Sequence, residues 1–552
     1  MSYRINKNNI VLYDFSCNSK KEILTSETFF LVLERFIKYY KKKKNFGNLE
    51  DYFMPLEIIG AYLILTEGEH PITYNRLLTH YPNILIEFGE AFYDYWRKIQ
   101  RYGVLSDDKD MISTSESFTS LILDLYRTVQ EKLMQKRFSV YRQLPAGLNA
   151  LISINHNDYS NSLNYPFTKG IPFVDRTLIR PPFLIQTKSN TRVDYFNETK
   201  TNFIDDIIID PNLFYCYPIY VGRSKAYVYC HVDYLHHLIS LSNLFEPITK
   251  TKYLNQKPDI ICIFGVEDNK HDGMIFHDES NDTYIGIISY LDKNDYFGYM
   301  KKMLLTLYNL KTIDMDCLPI HGAMVSLLME DNSTKNIVII GDSGAGKSES
   351  LEALRSLGSN HIKEMSTIFD DMGTFFKVNE SVFATGTEIG AFVRLDDLEE
   401  GYVYKEIDRG VFINPDKKNA RIVLPVSDYD FINKFHHIDM VLYANNYEDN
   451  NKGVKFFESL DDAKEYFIKG KRLSKGTTSE TGITTSFFAN PFGPMQRELK
   501  TRKLIDTYFS LLKENSIPIG ILYTKLALPN MESDGPLQAA KCLLDYLLKL
   551  KN

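Results

Sequence analysis

Apolar residues recur at helical spacing through much of the first 150 positions. The run TFFLVLERFIKYYKKKK, 28–44, follows a Thr-Ser-Glu start and ends in a basic last turn, which predicts an amphipathic helix. Similar spacing predicts helices over 83–101 and 115–135. From about 165 onward the texture changes to short β-rich runs broken by turns: PPFLIQT, LFYCYPIYV, AYVYCHV, IICIFGV, TYIGIISYL and NIVIIG. Strands alternating with helices imply an α/β (α+β) body behind a mainly helical N-terminal extension. No fixed-period repeat or low-complexity tract interrupts the chain, and NNYEDNNKG, 445–453, reads as a mobile surface loop.

Composition narrows the classes. Hydrophobic residues make up 44% of the 552 positions and charged residues 24%, which excludes wholesale disorder. No apolar run exceeds five residues, against the ~20 a membrane span needs. The net charge of −7 offers no electrostatic reason for nucleic acid binding, and Lys41 to Lys44 read as a solvated helix end. The start, MSYRINKNNIVLYDF, lacks a signal pattern, and the six scattered cysteines form no CxxC pair. Both features point to a cytoplasmic chain with reduced, buried thiols.

The strongest chemical signal is IVIIGDSGAGKSESLEALRSLG, 337–358. Gly341, Asp342, Ser343, Gly344, Ala345, Gly346, Lys347 and Ser348 match GxxxxGK[ST] without a mismatch. Glycines let the backbone turn its N–H groups toward phosphate oxygens, Lys347 reaches the β- and γ-phosphates, and Ser348 joins a Mg²⁺ shell. Asp370 and Asp371 end an apolar run 23 and 24 residues after Lys347, where a metal-holding acid belongs.

The residues before and after the loop narrow the reaction. Tyr296-Phe-Gly-Tyr-Met-Lys301-Lys302, an amphipathic MLLTLYNL helix, Cys317-Leu-Pro-Ile-His321-Gly, the phosphate loop and Asp370-Asp371 stand in one order. This order resembles the ATP-type phosphoenolpyruvate carboxykinases, with their Tyr-x-Gly-Glu-Met-Lys-Lys, Met-His-Cys-Ser, P-loop and Gly-Asp-Asp segments. The likeness continues in Gly390-Ala-Phe-Val-Arg-Leu, in Asn419-Ala-Arg421 and in the stretch 469–493, and covers roughly 165–552. The loop GDSGAGKSES also resembles that of the HPr kinase/phosphorylases.

The resemblance implies a PEP carboxykinase-like two-domain fold with a P-loop nucleotide-binding C-terminal domain. The expected division is a helical extension at 1–160, a substrate domain at 161–300 and a catalytic domain at 301–552 with a lid near 447–480. It implies Lys302, His321 and Asp371 as ligands of Mn²⁺, and Ser348 with Asp370 around Mg²⁺. It implies Lys347 and Arg421 near the transferred phosphate, and Arg176, Tyr296 and Arg421 around oxaloacetate or phosphoenolpyruvate, with ATP as co-substrate. The sequence departs from the family at Met372, Tyr299, Thr481 and the reduced Asp175-Arg176-Thr177 motif, which leaves ATP, GTP and pyrophosphate open.

Each residue also has an ordinary structural reading: a lone histidine in a turn, a solvated Lys-Lys pair, a surface Arg. The His236–His237 and His436–His437 pairs have no carboxylate or cysteine at ligand spacing and read as structural. Three functions follow: a divergent phosphoenolpyruvate carboxykinase, a kinase of the same core acting on a protein serine or small hydroxyl compound, or a non-catalytic ATP-binding sensor. In each, residues 1–160 are the segment to bind a partner or self-associate, and neither nucleic acid nor a membrane is expected.

Overall fold

The amphipathic run at 28–44 folds as the helix Glu27–Lys43, and the other two predicted helices appear as Pro82–Lys98 and Met111–Met134. The description comes from a computed structural model covering residues 2–549 except 7–8, 17, 44–52, 69–74, 107–108, 138–139, 141–145, 157–164, 192–195, 251–255, 269, 396–397, 399–405 and 475–481. Helix boundaries follow local chemistry. Pro82 and Pro55 open their helices at the first turn, where a missing N–H costs nothing. Asp110 caps Met111–Met134 by accepting from the Ile112 and Ser113 amides.

The chain divides into two compact units, Met1–His156 with Phe173–Phe183, and Asn157–Pro172 with Leu184–Asn552. The first unit is not simply helical. Strands Asn9–Tyr13, Gln100–Ser106 and Ala150–Asn155 pair in parallel, with Ser2–Ile5 and Phe173–Ile179 antiparallel at either side. Six of the seven residues in Gln100–Ser106 are buried, so the strand shows no alternation and merges in sequence with the helix before it. Leu33, Phe36, Ile58, Phe88 and Leu151 pack between these helices and the sheet.

The expected partition at 161–300 and 301–552 is replaced by one unit built on two large sheets. One runs in the order Phe214–Val221, Ser224–His231, Ile260–Val266, Thr283–Ser289, Met274–Asp278, Asn197–Thr199. The other centres on Leu318–Met329, Thr334–Ile340, Met440–Asn445 and Ile519–Tyr523. The helix Phe297–Asp314 packs against strands of both sheets. Expected to be amphipathic, it is instead buried at 15 of its 18 residues, because it has a sheet on each side. Lys301, among the helix's buried residues, and its neighbour Lys302 are therefore placed toward the interior.

The segment expected as a lid, 447–480, contains regular structure. Val454–Phe456 pairs with Ile519–Tyr523, and helix Leu460–Lys469 buries Ala463 and Phe467 in the core. Residues 475–481 of that expectation lie outside the described residues. The loop expected at 445–453 begins with Asn445 and Asn446, both fully buried. Among the described residues no helix is long and apolar enough to cross a membrane, and Cys216, Cys230, Cys262 and Cys317 are buried free thiols.

Candidate functional site

The site forms around one strand, Leu318–Met329, paired along both edges. On one side Thr334–Ile340 runs antiparallel with Gly322 opposite Ile340, so the chain leaves the sheet into the phosphate loop beside His321. The Gly341 amide donates to the His321 carbonyl at 3.1 Å. On the other side, Ile362–Phe369 covers the far half of the strand and Met372–Val378 the near half, with Met372 opposite His321. Asp370 and Asp371 occupy the break between those two strands, and register alone brings them to the imidazole.

The loop has the conformation its glycines permit. Gly344 and Gly346 lie at φ +75° and +87°, and a Cβ on Gly346 would stand 2.6 Å from Thr524 Oγ1. Helix Lys347–Leu357 follows directly, leaving its first amides for an anion. Lys347 Nζ donates to the Gly341 and Asp342 carbonyls at 2.8 and 3.1 Å, and Ser348 Oγ donates to Asp370 at 3.1 Å. Three side chains from far along the chain clamp the loop. Asn446 Nδ2 donates to the Gly344 carbonyl at 2.9 Å, Thr524 Oγ1 to Ala345 at 2.7 Å, and Arg472 pairs with Asp342 at 2.9 Å while donating to the Ser343 carbonyl.

Beside the loop, Lys302, His321 and Asp371 converge. Lys302 Nζ and Lys301 Nζ each stand 2.7 Å from Asp371 Oδ2, and His321 Nε2 stands 3.0 Å from Oδ1. His321 Nδ1 is 2.6 Å from the Ala489 carbonyl. A carbonyl only accepts, so Nδ1 donates to it, and Nε2 is the ring nitrogen that faces and hydrogen-bonds the Asp371 carboxylate. Phe488 and Ala489, which present that carbonyl, have φ of +54° and +51°, a left-handed conformation uncommon outside glycine.

Burial and mutual charge set the titration of these groups. Burial lowers the His321 imidazole, against the Asp371 hydrogen bond. Burial likewise lowers the Lys302 ammonium, and the neighbouring Lys301 adds to this against the pull of Asp371. Burial would lower Lys301 too, but Asp371 and Glu388, the latter at 2.9 Å, raise it, so it keeps its charge. Burial opposes ionisation of Asp371, yet the Lys301 and Lys302 charges and the His321 bond hold it well below the usual carboxylate range. Asp370 is pushed up by burial and then by Asp371. An imidazole nitrogen, an amine nitrogen and a carboxylate within reach of one another make a donor set that could take a divalent metal if the two nitrogens gave up their protons.

Phe392 gathers the expected substrate side chains. Its ring lies 5.4 Å from the Arg421 guanidinium, 5.7 Å from Lys301 Nζ and 6.0 Å from the Tyr296 ring. Arg421 Nε is buried with no hydrogen-bond partner, so this guanidinium retains a donor for an anion. Arg176 belongs to the other unit. It lies on Phe173–Ile179 in the first unit, opposite Ser153, with a half-exposed side chain 3.8 Å from Asp175.

Sequence reasoning missed Glu388, Asn446, Arg472, Thr524 and the Ala489 carbonyl, whose contacts span long stretches of chain. It also missed the partner of the first histidine pair: His236 and His237 Nε2 each stand 3.0 Å from Asp295 Oδ1, all three residues buried. The Lys188 amide donates to the other oxygen of Asp295, so the carboxylate just before Tyr296 is held from three directions. His436 bonds the Phe431 carbonyl at 2.8 Å. Neither a family model nor a curated protein matches the chain.

Proposed function

We propose that the second unit is a PEP carboxykinase-like enzyme, with that family's nucleotide-binding fold, which converts oxaloacetate and a nucleoside triphosphate to phosphoenolpyruvate, CO₂ and the nucleoside diphosphate. The observation that carries this reading is the convergence of Lys302, His321 and Asp371 beside a phosphate loop, with Ser348 and Asp370 on its other side. A kinase that forms no enolate has little use for a lysine and a histidine gathered on one carboxylate at that point.

Lys302, His321 and Asp371 would hold Mn²⁺, and Ser348 with Asp370 would hold Mg²⁺ alongside the nucleotide. When bound, these cations offset the negative charge of the enolate and of the triphosphate. Gly344 and Gly346 open the loop backbone to the phosphates, and Lys347 exchanges its two carbonyl partners for phosphate oxygens. Arg421, with its unpartnered Nε, orients the anionic substrate or transferred phosphate, while Tyr296 and Phe392 wall the site against water. Arg421 is the substrate arginine within the second unit.

One observation favours a second reading. Asp370, pushed up by burial and by Asp371, has the character of a base for a hydroxyl group, as in a kinase acting on serine or a small alcohol. The full chain is assayed with Mn²⁺ and ATP, GTP or inosine triphosphate for phosphoenolpyruvate formation from oxaloacetate. Formation that falls at least about a hundredfold in Arg421→Ala supports the carboxykinase reading. No product with any nucleotide, combined with phosphoryl transfer to a hydroxyl acceptor, replaces it with the kinase.

A further inference from the structure

The only tryptophan of the chain, Trp96, lines a cavity inside the first unit. The cavity measures about 90 Å³ and lies among the helices Glu27–Lys43, Pro55–Glu67, Pro82–Lys98 and Met111–Met134. Its walls are aliphatic and aromatic, with Val32, Phe92, Phe118, Ile122 and Leu125 prominent, and no Asp, Glu, Lys, Arg or His lines it.

Two polar atoms in that wall have no partner among the described residues. Thr28 Oγ1 and Gln130 Oε1 are buried without a hydrogen bond, on side chains 6% and 0% exposed. The Gln130 amide is oriented by its other end, whose Nε2 donates to the Ile86 carbonyl at 3.4 Å, so the unsatisfied end is an oxygen that can only accept. Gly89 makes this placement possible: a Cβ there would stand 2.7 Å from Gln130 Nε2 and 3.3 Å from the Tyr62 hydroxyl. A buried acceptor and a buried hydroxyl in an apolar wall are each destabilising unless something completes them.

The chemistry of the missing group follows from the two atoms. It must donate to Gln130 Oε1 and exchange a hydrogen bond with the Thr28 hydroxyl. A carboxylate has no donor and would meet no cation, a ketone has no donor, and an ammonium would be buried without a counter-charge. We infer that this cavity binds a small, neutral, mainly aliphatic molecule through a single hydroxyl group, which accepts from Thr28 and donates to Gln130. The site is independent of the phosphate loop and of the reaction proposed for the second unit.

Trp96 supplies the test. The full chain is titrated with n-butanol, n-pentanol and n-hexanol, and with the alkyl chlorides of matching length, while Trp96 emission is followed. The alcohols give a saturable change, with affinity rising about fourfold for each methylene buried until the cavity is full. Each chloride binds at least about tenfold more weakly than its alcohol. Thr28→Val and Gln130→Met, which keep side-chain bulk, reduce that preference to near unity and leave chloride binding unchanged. Leu125→Phe, which fills the space, removes the response to both series. Equal responses to alcohols and chlorides in the unaltered chain, or none that saturates, overturn the inference without reference to any variant. A preference retained by folded Thr28→Val and Gln130→Met also overturns it.

Discussion

Replacing Asp371 by Asn tests the electrostatic economy of the cluster. Two ammonium groups share one carboxylate oxygen at 2.7 Å each. At an effective dielectric near 20, each contact is worth on the order of 6 kcal/mol of gross attraction, much of it cancelled by desolvation. Asn removes the charge and leaves Lys302 with no carboxylate, whereas Lys301 retains Glu388 at 2.9 Å. Only one ammonium is then stranded, and the expected loss is about 3–5 kcal/mol. Lys302→Met alone is expected to cost under about 1.5 kcal/mol, because Lys301 still neutralises Asp371 and the stem of Met occupies the same space. The double variant Lys302→Met/Asp371→Asn then recovers about 2 kcal/mol relative to Asp371→Asn, a coupling that independent sites do not show. Native-state hydrogen exchange of the amides in Leu318–Met329 reads these differences within the second unit, apart from the rest of the chain. Additive costs, or an Asp371→Asn variant within about 1 kcal/mol of the parent, would refute the reasoning.

Other outcomes follow from the same geometry. Asn446→Ala removes the Gly344 anchor and the pairs that its amide makes with Leu473, so ATP affinity by calorimetry falls about tenfold or more with the overall fold retained. Gly346→Ala places a methyl at 2.6 Å from Thr524 Oγ1 in a left-handed conformation, and abolishes nucleotide binding in a chain whose circular dichroism is unchanged. Burial opposes the ionised form of Asp295, but His236 and His237 hold it below the usual carboxylate range. Its ionised form therefore contributes stability above the unfolded value near pH 4, lost as pH falls below it. Asp295→Asn flattens the acid limb of stability against pH, and an unchanged limb removes Asp295 from the account.

What the sequence made legible was what is local or ordered. The phosphate loop is contiguous, and the strand before it and helix after it declare themselves in eight residues on either side. Lys302, His321 and Asp371 are legible because their order around the loop resembles a known pattern; the antiparallel register of Leu318–Met329 brings His321 and Asp371 together, and packing of the helix Phe297–Asp314 adds Lys302. Partners set by tertiary packing left no local mark. Arg472 reaches back 130 residues to Asp342, and the Ala489 carbonyl 168 residues to His321, with nothing in either segment to announce it. The helix at 297–314 was expected to be amphipathic, and its lysines looked solvated, because sequence cannot show that sheets cover both of its faces. The same limit hid the sheet of the first unit, whose central strand is buried on both faces and lacks the alternation that marks a strand beside water. The strand and core helix within the segment expected as a lid are set by packing against distant elements, which no short motif there announces.

The most direct measurement of the central claim is a crystal structure of the full chain soaked with Mn²⁺, read by the anomalous signal of the metal. The account predicts one strong site with Lys302 Nζ, His321 Nε2 and Asp371 as protein ligands at about 2.0–2.3 Å, lost on Asp371→Asn. Manganese bound elsewhere, or a Lys302 amine that stays on Asp371 and never turns to the ion, would contradict it.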